Sequence, residues 1–154
     1  MKVLFAAGFG PIVRDIAVSR RFYRDTLGLA FEGDEDDYLH SGELDGSRHF
    51  ALWRLEDAAE STFGTREWPA DVPLPQAWLE FDVEDMAEAV RELQAAGYRL
   101  LVTDRTESWG QVVTRLLSPE GLLVGITITP WMRGHAAGDA DAGDAVATGA
   151  SSRP

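Results

Sequence analysis

The chain has 154 residues, 45% of them hydrophobic and 26% charged, with a formal net charge of -12; that is about one domain with an ordinary globular balance. So acidic a chain lacks the basic face that nucleic acid or an anionic membrane needs, which leaves small molecules as the partners to expect. It contains no cysteine, so disulfides, thiolate metal sites and cysteine nucleophiles are excluded together.

The first apolar run, LFAAGFGPIV, has a passing likeness to a signal peptide. Gly8, Gly10 and Pro11 interrupt it, however, and it leads straight into patterned sequence, so it reads as a first strand. No run approaches the roughly 18 apolar residues of a membrane helix, and a soluble cytoplasmic protein is expected. Arg14-Asp15 then opens a helical stretch, AVSRRFYRDTLG, with Ile16, Phe22, Tyr23 and Leu27 as a loose apolar stripe. Asp15 can cap its start and Gly28 suits a left-handed stop. Strands are expected at LAFEG, YLHSGEL and HFALWRL, the first two separated by a turn containing DEDD. Segment 57–76 reads as a connection without an element of its own.

The same order then recurs. AWLEFDV is a strand, Glu84-Asp85 opens MAEAVRELQAAG, and Met86, Ala89, Val90 and Leu93 form one buried stripe at i, i+3, i+4, i+7. Gly97 ends that helix, and YRLLVTD, VVTRLLS and LLVGITIT follow as strands. Asp15 and Asp85 are 70 residues apart, Gly28 and Gly97 69. Matching punctuation at one period marks a duplicated unit. The expected fold is therefore α+β, two tandem βαβββ modules at 1–62 and 77–133 with a linker at 63–76. From Gly134 the chain is Gly, Ala, Asp, Ser and Thr with few large apolar groups, and 134–154 is expected to be a disordered tail.

The phrases IVRDIAVSRRFYRDTLGL, LEFDVEDMAEAVRELQAAGYRL and LLSPEGLLVGIT, in that order and spacing, resemble the vicinal oxygen chelate superfamily of glyoxalase I, extradiol dioxygenases and bleomycin-resistance-type binding proteins. The resemblance covers 5–131. It implies curved mixed sheets enclosing a ligand cavity, and a homodimer. It also implies where a metal-using member would place its ligands: Gly8, Ala51, Trp78 and Gly125 in this chain. None of these four offers an acceptor side chain for a divalent ion. No metal or cofactor is expected, and bare positions beside an indole suggest open space for a planar or apolar organic molecule.

Strand alternation identifies the neighbours of those positions. With Trp78 facing the cavity, Glu80 and Asp82 face it too; with Ala51 inward, so are His49 and Trp53. Glu80 and His49 are weak candidates for an acid–base pair, set against a solvated His49 and a Glu80 paired to an arginine such as Arg115. Trp109 and Gln111, on the loop before the second module's third strand, suit a lid. Trp68 and Trp131 can do the same job or serve a dimer contact. The run GDEDD is a solvated turn without calcium-loop spacing, and no nucleophile elbow or phosphate loop occurs. The reading is a metal-free binding protein whose ligand-binding set is Gly8, His49, Ala51, Trp53, Trp78, Glu80, Trp109, Gln111, Arg115 and Gly125. Its alternative is a glyoxalase-like lyase, isomerase or dioxygenase acting on a small metabolite.

Overall fold

A computed structural model describes residues 1–33 and 38–134; the acidic run 34–37 and the tail from 135 lie outside the described residues. Strand β1 (Val3–Val13) runs into Asp15, whose carboxylate accepts from the backbone N–H of Val18 at 3.0 Å and starts α1 (Ile16–Arg20). The helix continues as one wide π turn, Arg21–Thr26, and Gly28 stops it at φ 76°. Two short strands follow, β2 (Leu39–Ser41) and β3 (Phe50–Arg54).

The second module repeats the plan at full length. Strand β4 (Ala77–Val83) leads to Asp85, which accepts from the N–H of Glu88 at 2.9 Å at the start of α3 (Met86–Ala95). Gly97 ends that helix at φ 83°, and β5 (Leu100–Thr106), β6 (Val112–Leu117) and β7 (Leu123–Ile128) complete the unit. A last turn, α4 (Pro130–Arg133), closes the described chain.

The strands form one open, mixed, seven-stranded sheet in the order β2-β3-β1-β4-β7-β6-β5. Its centre is the antiparallel pairing of β1 with β4, which sets Gly8 opposite Glu80 and Gly10 opposite Trp78. The modules therefore join edge to edge within one chain. Parallel pairs β1–β3 and β4–β7 flank that seam. One face is apolar: Val83, Met86, Ala89, Leu116 and Ile126 pack under α3, and Val13, Leu39, Phe50 and Leu52 under α1. The other face carries Trp53, Trp78, Glu80 and Arg115 and lines a cavity.

Two expectations need correction. LAFEG is not a strand: it contributes one bridge, Glu32 to His40, with N···O distances of 2.8 and 3.0 Å. Leu29 and Phe31 spend their side chains on the core beneath α1, and Gly33 turns the chain away at φ 111°. The connection after β3 is not elementless either. Leu55–Phe63 is a helix, α2, opened by Glu56 and Asp57 and stopped by Gly64 at φ 76°. Its buried stripe is Ala58, Ala59 and Thr62, at helical spacing but made of residues too small to signal a core face.

Candidate functional site

The cavity has a volume of about 710 Å³, inside the usual range for small-molecule sites. Both modules build it. From the first come Tyr38, His40, His49 and Trp53; from the second, Trp78, Glu80, Gln111 and Arg115. Helix α2 supplies Asp57, Glu60 and Ser61, and Trp109 and Trp131 stand at the mouth, 57% and 47% exposed.

Glu80 is the best-connected polar group. Its Oε2 accepts from the Gln111 amide at 2.8 Å, and Arg115 stands 3.7 Å from Oε1. Gln111 also donates to the Thr127 hydroxyl and accepts from the indole of Trp109 at 2.9 Å, which ties the mouth loop to the floor. Arg115 is 1% exposed. It donates to Glu107 and to the Ser61 carbonyl at 3.2 and 3.1 Å, and its guanidinium lies 5.2 Å from the Trp53 ring centroid. Ser61 donates to Glu107 as well. One guanidinium thus serves two buried carboxylates. Burial holds the Glu80 carboxyl above the usual carboxylate range, although Arg115 and Gln111 pull the other way.

Across the cavity, the Tyr38 hydroxyl and His49 Nε2 are 2.7 Å apart. The His40 ring stacks on His49 with centroids 5.4 Å apart. Burial, then the charge of His40, lowers His49 to about 4, so the imidazole is neutral at physiological pH. Burial, reinforced by the charge of Glu80, pushes the Tyr38 phenol up, which keeps it a hydrogen-bond donor.

Of the ten residues proposed from sequence, seven line the cavity: His49, Trp53, Trp78, Glu80, Trp109, Gln111 and Arg115. His49 is half-buried rather than solvated, and Glu80 does pair with Arg115. The other three, Gly8, Ala51 and Gly125, do not line it, and the open space expected beside them is filled. A Cβ on Gly8 would sit 3.0 Å from the Trp78 ring, and one on Gly125 2.7 Å from the Glu80 Cγ. Ala51 is fully buried, with its carbonyl 3.4 Å from the Trp78 indole nitrogen. These residues are bare because neighbouring side chains lie across them. Asp82 does not face the cavity either: it is fully buried, accepting from the Thr129 N–H and hydroxyl at 2.7 and 2.6 Å and from Arg133 at 3.0 Å. It fastens α4, and with it Trp131 at the mouth. Trp68 packs on Phe63 instead, with ring centroids 5.0 Å apart.

Tyr38, Glu107 and the wall from α2 were missed. Tyr38 lies before a three-residue strand, where alternation has too little length to orient it. Glu107 follows a bulge in β5, where Asp104 takes φ 49° and the register with β6 slips, and an extra residue reverses which side chains face inward.

The family model for the Glyoxalase/Bleomycin resistance protein/Dioxygenase superfamily matches residues 9–126. The chain belongs to this superfamily. A superfamily member from Vibrio splendidus 12B01 has 18% identity and a TM-score of 0.52, with 79% of this chain and 96% of that one covered. A Legionella pneumophila structure described as an NAD-dependent benzaldehyde dehydrogenase has 14% identity and a TM-score of 0.54, with the same coverage. An extradiol ring-cleaving dioxygenase from B. fuscum has 21% identity and a TM-score of 0.53, with 82% of this chain matched to 33% of that one. At these identities the likeness is one of fold. No curated protein matches the chain.

Metal-using members of the superfamily set the test for these residues, and they do not fit a metal. Gly8, Ala51 and Gly125 bring no donor atom, and the Trp78 indole brings an N–H of the wrong kind. Among the described residues no group of three or more His, Cys, Asp or Glu could hold an ion, and no helix is long and apolar enough to cross a membrane.

Proposed function

We propose that this superfamily member binds a small planar organic molecule in a metal-free cavity, in the manner of a sequestering protein. One observation carries the reading: about 710 Å³ of cavity presents Tyr38, Trp53, Trp78, Trp109 and Trp131 around a hydrogen-bonded polar floor. Aromatic walls suit stacking on a flat ligand, and Glu80, Gln111 and Arg115 are the groups that orient it. Trp109 and Trp131, exposed at the mouth, close over it. With this role goes a cytoplasmic homodimer, which would cover the sheet's outer strands β2 and β5.

A thermal-shift screen of planar antibiotics and aromatic metabolites, run beside elemental analysis of the purified protein, tests this. A ligand that binds only the folded state raises the melting temperature by mass action. The expected result is a shift from at least one planar compound, reduced by Trp78→Ala, with no stoichiometric metal. Stoichiometric metal held by three or more protein atoms in the cavity would end the reading.

A further inference from the structure

We propose that the cavity also moves protons: Glu80 and Tyr38 form an acid–base pair acting on a bound planar carbonyl compound with an ionisable C–H beside the carbonyl. This rests on the cavity being a ligand site, as argued above, and goes beyond binding.

Three arrangements point to it. First, Glu80 is positioned rather than merely buried. Its side chain lies along the bare backbone of Gly125, where a Cβ would be 2.7 Å from its Cγ. Gln111 fixes Oε2, while Arg115 stands 3.7 Å from Oε1, too far for a short hydrogen bond. Oε1 therefore keeps acceptor capacity on the cavity side. Second, Tyr38 and His49 form a pair at 2.7 Å on the same cavity. With a neutral imidazole, the tautomer that carries its proton on Nε2 donates to the phenol oxygen and leaves the Tyr38 O–H to point at a ligand. Third, the environments differ in the sense acid–base work requires. Burial makes Glu80 a stronger base than a surface carboxylate, Arg115 keeps it ionisable, and Tyr38 remains a protonated donor.

The step balances without a co-reactant. The Glu80 carboxylate takes the proton from the α-carbon, and the C–H electron pair becomes the C=C of an enolate. The carbonyl π pair moves to oxygen, which Tyr38 stabilises by donating a hydrogen bond. The proton on Glu80 then returns to carbon. Exchange with water before that return places a solvent hydrogen on the ligand. Return to the adjacent carbon, where a hydroxyl is present, makes the reaction an isomerisation.

The probe is 2-indanone, a flat aromatic ketone with acidic α-protons. Binding is read by calorimetry, and exchange by loss of the α-proton NMR signal in D2O. Wild-type protein is expected to accelerate exchange at least about 100-fold over buffer, within the range for one positioned proton-transfer group. Glu80→Gln should return exchange to background while changing Kd less than about threefold, and Tyr38→Phe should slow it about 10- to 100-fold at unchanged affinity. Glu80→Asp serves if Glu80→Gln fails to fold: a shorter arm with the same charge should still cut exchange at least about tenfold. Should 2-indanone bind without exchange above buffer, or exchange survive Glu80→Gln, the proton-transfer inference is overturned and the binding reading stands. Failure of 2-indanone to bind at millimolar concentration overturns both for planar ketones.

Discussion

The two modules share one plan but divide the cavity unequally. The second keeps a ten-residue helix and three full strands after it. The first has a five-residue helix running into a π turn, one bridge in place of a strand, and a three-residue β2. The second module and α2 contribute the charged floor, Glu80, Glu107 and Arg115 with Ser61. The first contributes rings without net charge, Tyr38, His40, His49 and Trp53. Regular pairing in β4, β6 and β7 can hold a buried ion network in register. The loosened module leaves room for a wall of aromatic and imidazole groups. Duplication supplied the frame, and divergence between the copies supplied a cavity with a charged side and a neutral side.

The charged side should fail hardest. Arg115→Met keeps the length of the side chain but strands Glu80 and Glu107 in a buried site without their shared cation. Breaking a buried pair from one side costs about 3–5 kcal/mol. Urea unfolding at pH 7 should show a loss of that size, partly regained by adding Glu107→Gln. A loss under about 1 kcal/mol would mean that water already screens the network and that the two sides do not differ as described.

The neutral side should show itself through acid. His49 titrates at about 4 in the folded chain, against an ordinary value near 6.5. The unfolded chain therefore takes up this proton as pH falls through about 6.5, while the folded chain refuses it until about 4, so the group's contribution to stability falls across that window. Glu80, raised by burial, acts in the opposite sense, because the folded chain takes up its proton first. Comparison with His49→Gln, which can keep a hydrogen bond to Tyr38, isolates the imidazole. The variant should lose roughly 1–2 kcal/mol less than wild type between pH 7 and pH 5, after allowance for partial exposure.

How much of this was legible in the chain follows from period and size. The seven cavity residues found from sequence lie on strands long enough for alternation to orient them, as with Trp78 and Glu80 on β4, or on the loop beside such a strand, as with Trp109. The π turn, the β5 bulge and the small-residue stripe of α2 carry no such period. Tyr38, Glu107 and Ser61 stayed hidden for that reason. The bare positions were legible as bare but not as filled. What lies over Gly8 and Gly125 depends on how Trp78 and Glu80 lean, and a lean of a few ångströms leaves no trace in spacing.

The smallest effect tests the part of the repeat that was most legible. Asp15 and Asp85 cap equivalent helices at 3.0 and 2.9 Å, and replacing such a cap by Ala costs about 1 kcal/mol. Asp85 has in addition Glu88 three residues on, in the first turn of α3, where its charge complements the helix dipole. Val18 holds that place in α1, whose first turn has no acidic residue. Asp85→Ala leaves Glu88 in place, so its loss should stay near 1 kcal/mol, and Asp15→Ala should match it if both helices are fully formed. A clearly smaller loss at Asp15 would locate the loosening of the first module at the start of its helix, before the π turn, and would make the neutral side of the cavity the more adjustable one.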